Sequence, residues 1–378
     1  MRILFVTHHY LKGVGGGVFA SRGYIKAFNA NADSFYLMYP VKNGYEAEDI
    51  PDGINHIPVT YDIPKYHKLF HLIKGKLHRF YNIFEEHISK IKPDLVVFDN
   101  SRCSDSLIDI AHKYNAQVIT IHHNYEHEYY KDNARGIIRH IILFWIKKIE
   151  SYAVKNSDLN LVLTKEDLKL LTENYLKNDK QKKFKLLGCF EYQDAKDTCD
   201  NSESPCKQRF VITGNLGMKQ TSKSLKNWFK DYYPVLKRVL PESTLVIAGR
   251  NPTKDTKVFC ENNGIKLYDS PKDMLKILKE ADYYICPTSL GGGLKLRIMD
   301  GLKTGLQVIT HKVSARGYDM FENTGILHSY DSKESFEECI RELSGKQISK
   351  EEIKNIYKKH FSYNAGFERV RDILSSMK

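Results

Sequence analysis

The chain has 378 residues, of which 42% are hydrophobic and 28% charged, and its formal net charge is +12. That length exceeds what one hydrophobic core ordinarily serves, so two domains are expected, and the composition excludes both a disordered and a membrane-spanning polypeptide. The seven cysteines are odd in number and scattered, with no CxxC pair and no histidines at zinc-ligand spacing, so they read as reduced cytosolic thiols.

The chain opens on Arg2-Ile3-Leu4-Phe5-Val6, a buried-strand pattern without the order of a signal peptide, and a cytoplasmic location is expected. Short apolar runs then alternate with helical patterns, as in parallel sheets covered by helices. A first series of strands is predicted at 3–6, 35–39, 94–98, 117–122 and 159–163, and a second at 210–213, 244–248, 265–268, 283–286 and 307–310. The polar stretch 181–208, with Pro205 and little periodicity, predicts a linker between an N-terminal domain (1–180) and a C-terminal one (209–360). No repeat or low-complexity tract is visible.

Ligands of parallel sheets bind beyond the carboxyl ends of the strands, so the residues there carry the functional information. After the first strand come Gly15, Gly16 and Gly17, opening a helix whose amides could meet a ligand; a bare tight turn is the alternative. Val18 stands where a GxGxxG fingerprint needs its last glycine, and no acidic residue closes the second strand, which disfavours a nicotinamide enzyme. Residues 65–92 interleave Lys65, Lys68, Lys74, Lys76, Arg79, Lys90 and Lys92 with apolar residues at helical spacing. Contact with an anionic membrane surface and a solvated helix packed on its own domain are both open readings. The fourth strand runs into His122-His123-Asn124-Tyr125-Glu126, a polar cluster that suggests a site but has no metal-ligand spacing. The apolar stretch 137–149, interrupted by Arg139, His140, Lys147 and Lys148, is too short and charged to span a bilayer and predicts a core or interfacial helix.

In the second half Arg250 follows a strand, and Gly291, Gly292 and Gly293 precede a helix predicted at 294–303. Bare amides, a helix N-terminus, Lys295 and Arg297 suit a diphosphate, and cations that would otherwise oppose the helix dipole argue for a bound anion.

At Thr213-Gly214-Asn215-Leu216-Gly217, at residues 245–252 and at 291–302, the second half resembles the retaining glycosyltransferases with two Rossmann-like domains (GT-B type), in particular those of bacterial polysaccharide and lipopolysaccharide synthesis. The likeness is carried mostly by residues 209–345, and more loosely by Gly15–Gly17 and by 123–126. It implies an α/β fold of two Rossmann-like domains facing a central cleft, with residues 361–378 crossing back to the first. It implies a nucleotide-sugar donor on Gly214, Asn215, Lys219, Arg250, Gly291, Gly292, Gly293, Leu294, Lys295 and Asp300. Gly15, Gly16, Gly17, Asn124 and Glu126 would face a glycan or lipid-linked acceptor. His122 or His123 would touch the transferred sugar, while Lys295, Arg250 and the loop amides would stabilise the leaving diphosphate, with no metal and no cofactor. The family's pair of glutamates eight positions apart is here Gly292 and Asp300, which removes one expected sugar contact. Two alternatives remain: a sugar-nucleotide epimerase of the same shape, and a nucleic-acid-binding protein suggested by charge but unsupported by any motif.

Overall fold

The computed structural model describes residues 1–13, 15–41, 53–60, 70–78, 80–81, 83–133, 136, 138–176, 184–193, 208–345 and 348–377. Lys65, Lys68, Arg79 and Pro205, and two of the seven cysteines, lie outside them. The chain divides into two compact units: Met1–Asp194 with Phe361–Lys378, and Ala195–His360.

The first unit is a seven-stranded parallel sheet in the order β3-β2-β1-β4-β5-β6-β7. Its strands are β1 Arg2–Thr7, β2 Ser34–Val41, β3 Asn55–Thr60, β4 Leu95–Asp99, β5 Gln117–His122, β6 Leu159–Val162 and β7 Phe184–Leu186. In the central strands Leu4 lies opposite Tyr36 on one side and Val96 on the other. Helices cover both faces of such a sheet, so its central strands are apolar throughout rather than alternating, and β4 is buried at all five positions. The helix Phe84–Ile91 adds Phe84, Ile88 and Ile91 to this core, each at helical spacing. The second half of the basic segment 65–92 therefore packs on its own unit, whereas Phe70 and Ile73 in the first half are exposed.

The sequence does not predict β3 and β7 in this unit, nor the strand Leu327–Tyr330 in the second. Strand β3 alternates exposed and buried residues around Pro58 and sits at the sheet edge, where proline is tolerated. Strand β7 and the residues after it fall in the predicted linker, but Phe190 is fully buried and its ring lies 5.5 Å from that of Tyr24. The C-terminal helix Tyr363–Ser375 closes this same region: Gly366 lies directly against the Phe190 ring, and the Arg369 guanidinium donates to the Leu187 carbonyl at 2.7 Å.

The second unit is a six-stranded parallel sheet, β10-β9-β8-β11-β12-β13, formed by Arg209–Asn215 (β8), Thr244–Arg250 (β9), Lys266–Asp269 (β10), Tyr283–Cys286 (β11), Gln307–His311 (β12) and Leu327–Tyr330 (β13). Its core centres on Trp228, packed edge-on to Phe336, with Phe229 stacked on Phe259 at 3.9 Å. Burying each such ring contributes roughly 1.5–3 kcal/mol.

Candidate functional site

Each sheet reverses its strand order once. In the first, the chain runs outward from β1 through β2 to β3 and resumes at β4 on the other side of β1; in the second, β8 and β11 are the corresponding neighbours. A crevice opens at such a reversal, beyond the carboxyl ends of the strands. In both units the predicted site residues fall at these ends.

In the first unit, β1 runs into His8 and His9, β4 ends at Asp99, and β5 leads into His122 and His123. Successive residues of a strand point to opposite faces, which separates the two histidines. His122 is fully buried, shares a hydrogen bond with the Asn160 side chain at 2.9 Å, and is driven by burial to a pKa of about 4. It is a neutral core residue of the sheet. His123 turns the other way and sets Nε2 on Asp99 Oδ1 at 2.5 Å. The second carboxylate oxygen of Asp99 accepts from Thr7 Oγ1 at 2.7 Å and from Ser21 Oγ at 2.5 Å. Thr7, Ser21 and Asp99 are fully buried, and His123 nearly so.

Burial opposes charge on both members of this pair, but the mutual attraction wins. His123 is held above the ordinary histidine range by Asp99, and Asp99 stays below the ordinary carboxylate range through His123, His9 and Ser21. His9 lies at the same point with the opposite balance. Burial, reinforced by the charges of His123 and Arg102 and resisted by Asp99, lowers it to about 4, and its Nε2 is buried with no hydrogen-bond partner among the described residues. The imidazole of His9 lies over Gly17, where an added Cβ would come within 2.7 Å of the ring. The glycine loop therefore makes room for His9, while Gly15 and Gly16 remain exposed at the start of the helix Gly16–Ala30.

The nitrogen and oxygen donors of His9, Asp99 and His123 all lie within 4.8 Å of one another. Two ligands of a tetrahedral first-row ion at ~2.1 Å would stand ~3.4 Å apart. The 2.5 Å between His123 and Asp99 is much shorter than that and below even the usual length of a charge-assisted hydrogen bond, so these two groups are set as a directly hydrogen-bonded pair.

Beyond Asp99 the backbone turns sharply at Asn100, whose φ of +116° lies outside the regions open to most side chains. Its side chain is committed at both ends, accepting from Arg102 N at 2.9 Å and donating to Glu126 Oε1 at 2.9 Å. Glu126 is itself buried, and its amide donates to Glu150 Oε1 at 2.7 Å. Glu150 comes from the helix Ile138–Asn156 and also accepts from the Tyr175 hydroxyl at 2.9 Å. Burial, then the charge of Glu126, push Glu150 up to about 8, which favours the neutral acid. Of the predicted acceptor-side residues, Glu126 is thus part of the frame, and Asn124 is the more accessible, reaching Glu126 at 3.4 Å.

In the second unit the register pairs Gly214 with Gly249 and Asn215 with Arg250, which brings the ends of β8 and β9 together. The glycine loop follows β11. Its helix begins at Arg297 and not at Leu294, and the loop before it holds Gly291 and Gly293 at φ of +81° and +68°, which no right-handed helix accommodates. Lys295 consequently stands in the loop and turns back on it, donating from Nζ to the Gly292 carbonyl at 2.7 Å and to that of Gly291 at 3.2 Å. Leu294 lies between, half-buried. Gly291 rests against Gln220, so the loop meets the start of the helix Lys219–Asp231, where Lys219 is exposed. The sequence marks Arg297 only as one of two cations, yet it is the joint of the arrangement. Its guanidinium lies over Gly214, where a Cβ would come within 2.9 Å of Nη1, and it reaches Thr221 Oγ1 at 3.2 Å and Thr288 Oγ1 at 3.4 Å. Arg250 and Asp300 are exposed, and Asp300 sits one turn along from Arg297. Backbone donors and several cations around a strand-order reversal suit a polyanionic ligand.

Residues 207–346 match the family described as glycosyl transferases group 1. Likeness of fold extends over the whole chain. The apo form of the lipopolysaccharide outer core galactosyltransferase WaaB superposes with a TM-score of 0.66 at 13% identity, covering 100% of both chains. HepE of Anabaena in complex with UDP gives 0.63 at 13%, again with 100% of both chains, and a glycosyltransferase from Rickettsia africae gives 0.65 at 15%, with 98% of this chain and 97% of the other. The two parallel α/β units are those of the GT-B architecture. No curated protein sequence matches the chain significantly.

Proposed function

We propose that the protein is a glycosyltransferase that moves a sugar from a nucleoside-diphosphate donor onto a glycan or lipid-linked acceptor, with retention at the anomeric carbon, in the synthesis of a bacterial surface polysaccharide such as capsule or lipopolysaccharide. The observation that carries this reading is the glycine loop at 291–293, placed at the strand-order reversal of a unit whose sequence matches a glycosyltransferase family. The second unit holds the donor. As the sugar leaves, negative charge builds on the diphosphate, and preorganised amides at Gly292, Gly293 and Leu294 together with Lys295, Arg250 and Arg297 stabilise it without a metal ion. Asp300 accepts from the ribose hydroxyls, and Gly214, Asn215 and Lys219 complete the donor side.

The first unit holds the acceptor and touches the transferred sugar through His123, fixed by Asp99. The nucleotide sugar is a substrate, and no cofactor is invoked. UDP occupies the Anabaena structure, so UDP sugars are the first donors to try, followed by GDP and dTDP sugars. A thermal-shift series with these nucleotides tests the donor site, because saturation at about 100 times the dissociation constant adds about 2.7 kcal/mol of stability. Failure of every nucleotide to stabilise the protein would overturn the reading. Conversion of a nucleotide sugar to its isomer without acceptor would replace the transferase with an epimerase.

A further inference from the structure

The helix Ile138–Asn156 changes character midway. From Ile146 onward its apolar side is buried, through Ile149, Ala153 and Val154. Before that point Ile138 and Phe144 are 45% and 61% exposed. The helical turn at 70–73 carries two more such residues, Phe70 and Ile73, at 51% and 53%. Four of the eight strongly exposed large hydrophobic side chains among the described residues thus fall in two short stretches.

The two stretches are one surface. The Trp145 ring lies directly on Gly75, a position with φ +72° where no Cβ fits. Neither 70–76 nor 138–148 contains an acidic residue, while Lys74, Lys76, Arg139, Lys147 and Lys148 accompany the apolar groups. Lys74 sits 4.2 Å from the centre of the Phe70 ring and Lys148 5.1 Å from that of Trp145. Aromatic and aliphatic side chains ringed by cations, on a protein with no described helix able to cross a bilayer, match the boundary between headgroups and acyl chains. A water-soluble acidic partner would complement the lysines but leave Phe70, Ile73 and Phe144 unexplained.

We propose that this face, built from 70–76 and 138–148, docks the protein on an anionic bilayer surface with Phe70, Ile73, Phe144 and Trp145 inserted. The same helix carries the acceptor side of the site. Phe144 and Glu150 are six residues apart, about 9 Å along the axis, and Glu150 holds the Glu126 amide. A docked molecule therefore presents the run 123–126 close to the membrane, where a lipid-linked acceptor lies. Only this last step rests on the proposed transfer reaction.

The test uses the full chain with phosphatidylcholine vesicles prepared with and without phosphatidylglycerol. Cosedimentation is expected only in the anionic arm and should weaken with salt. Emission from Trp145 should shift to the blue on binding, since Trp228 is already buried. F144S and the double variant K147E/K148E should each lower vesicle affinity about tenfold or more, with unchanged melting temperature because these side chains are exposed. The proposal is overturned by binding to neither vesicle, by equal binding to both, by variants that bind like the parent, or by a dimer that F144S disperses in the absence of lipid binding. Loss of vesicle binding with transfer to a soluble glycan intact would remove the docking face and leave the transferase; vesicle binding without any nucleotide binding would do the reverse.

Discussion

The two strand-order reversals solve different chemical problems with different materials. In the first unit the groups at the reversal are buried and titratable, and their protonation is set before any ligand arrives: His123 is favoured as a cation, His9 and His122 as neutral rings, Asp99 as an anion and Glu150 as an acid. In the second unit the material is glycine backbone and half-buried or exposed cations, shaped by left-handed residues and by Lys295 and Arg297 folded over the loops. The first arrangement suits directional hydrogen bonds to a neutral sugar or acceptor, the second a diffuse polyanion. Where groups are buried together, altering one alters its neighbours; where they are spread over a loop, losses are smaller and separable.

The largest expected effect follows from the first arrangement. His123→Ala should lower turnover on the order of a hundredfold while calorimetry finds nucleotide affinity nearly unchanged. Asp99→Asn keeps the shape of the pair but removes its charge, so the His123 pKa should fall and the alkaline limb of the turnover profile should move to lower pH. Histidine NMR titration reports the same shift without substrate. The stabilising contribution of the pair is complete below the ordinary histidine pKa and disappears as pH rises through the raised value, so Asp99→Asn should cost most stability on the acid side of neutrality. Parallel loss of nucleotide affinity in His123→Ala would erase the distinction between the units.

Next in size is Lys295→Ala. A hydrogen bond to a charged group is worth roughly 1.5–3 kcal/mol, so donor affinity should drop about tenfold to a hundredfold, with turnover at saturating donor reduced as well. Because Lys295 also ties the Gly291 and Gly292 carbonyls, the loop should become more accessible to hydrogen exchange. Unchanged affinity and turnover would reduce the loop to a turn. Asp300→Asn should be milder, weakening the donor severalfold in a binding titration with little effect on turnover, since an amide oxygen still accepts one ribose hydrogen bond.

The smallest effect on activity belongs to Glu150→Gln. A carboxyl raised to about 8 contributes stability that is present at acid pH and lost as pH climbs from its unfolded value toward 8. The neutral amide should flatten the decline of melting temperature between pH 5 and 8. An unchanged slope would show that Glu150 titrates normally.

Strand ends explain what could be read beforehand. Gly214, Arg250, His123 and the 291–293 loop interrupt or terminate apolar runs with chemically conspicuous residues, and the architecture follows from the alternation of those runs. Asp99 was illegible because it closes a buried strand like any boundary residue, and His9 because its role depends on β4 and β5 folding beside it. Glu150 lies in the middle of a helix, where an exposed acid is the ordinary expectation; only the approach of Glu126 and Tyr175 makes it a buried one. The start of the helix at Arg297 is illegible for a related reason, since the loop before it makes contacts with Gln220 and accepts hydrogen bonds from Lys295 that a one-dimensional pattern does not contain.

The division of the chain also sets different demands on the folding of its two units. The second unit is contiguous, Ala195–His360, so every contact of its core is made within one segment. The first unit is discontinuous and needs the helix Tyr363–Ser375, which follows the whole second unit in the chain. Without that helix Phe190 has no Gly366 against it and the Leu187 carbonyl no Arg369, and the strap that carries them leads directly from β7. Completing the first unit therefore means closing a loop as long as the second unit itself, a cost in chain entropy that the second unit does not bear.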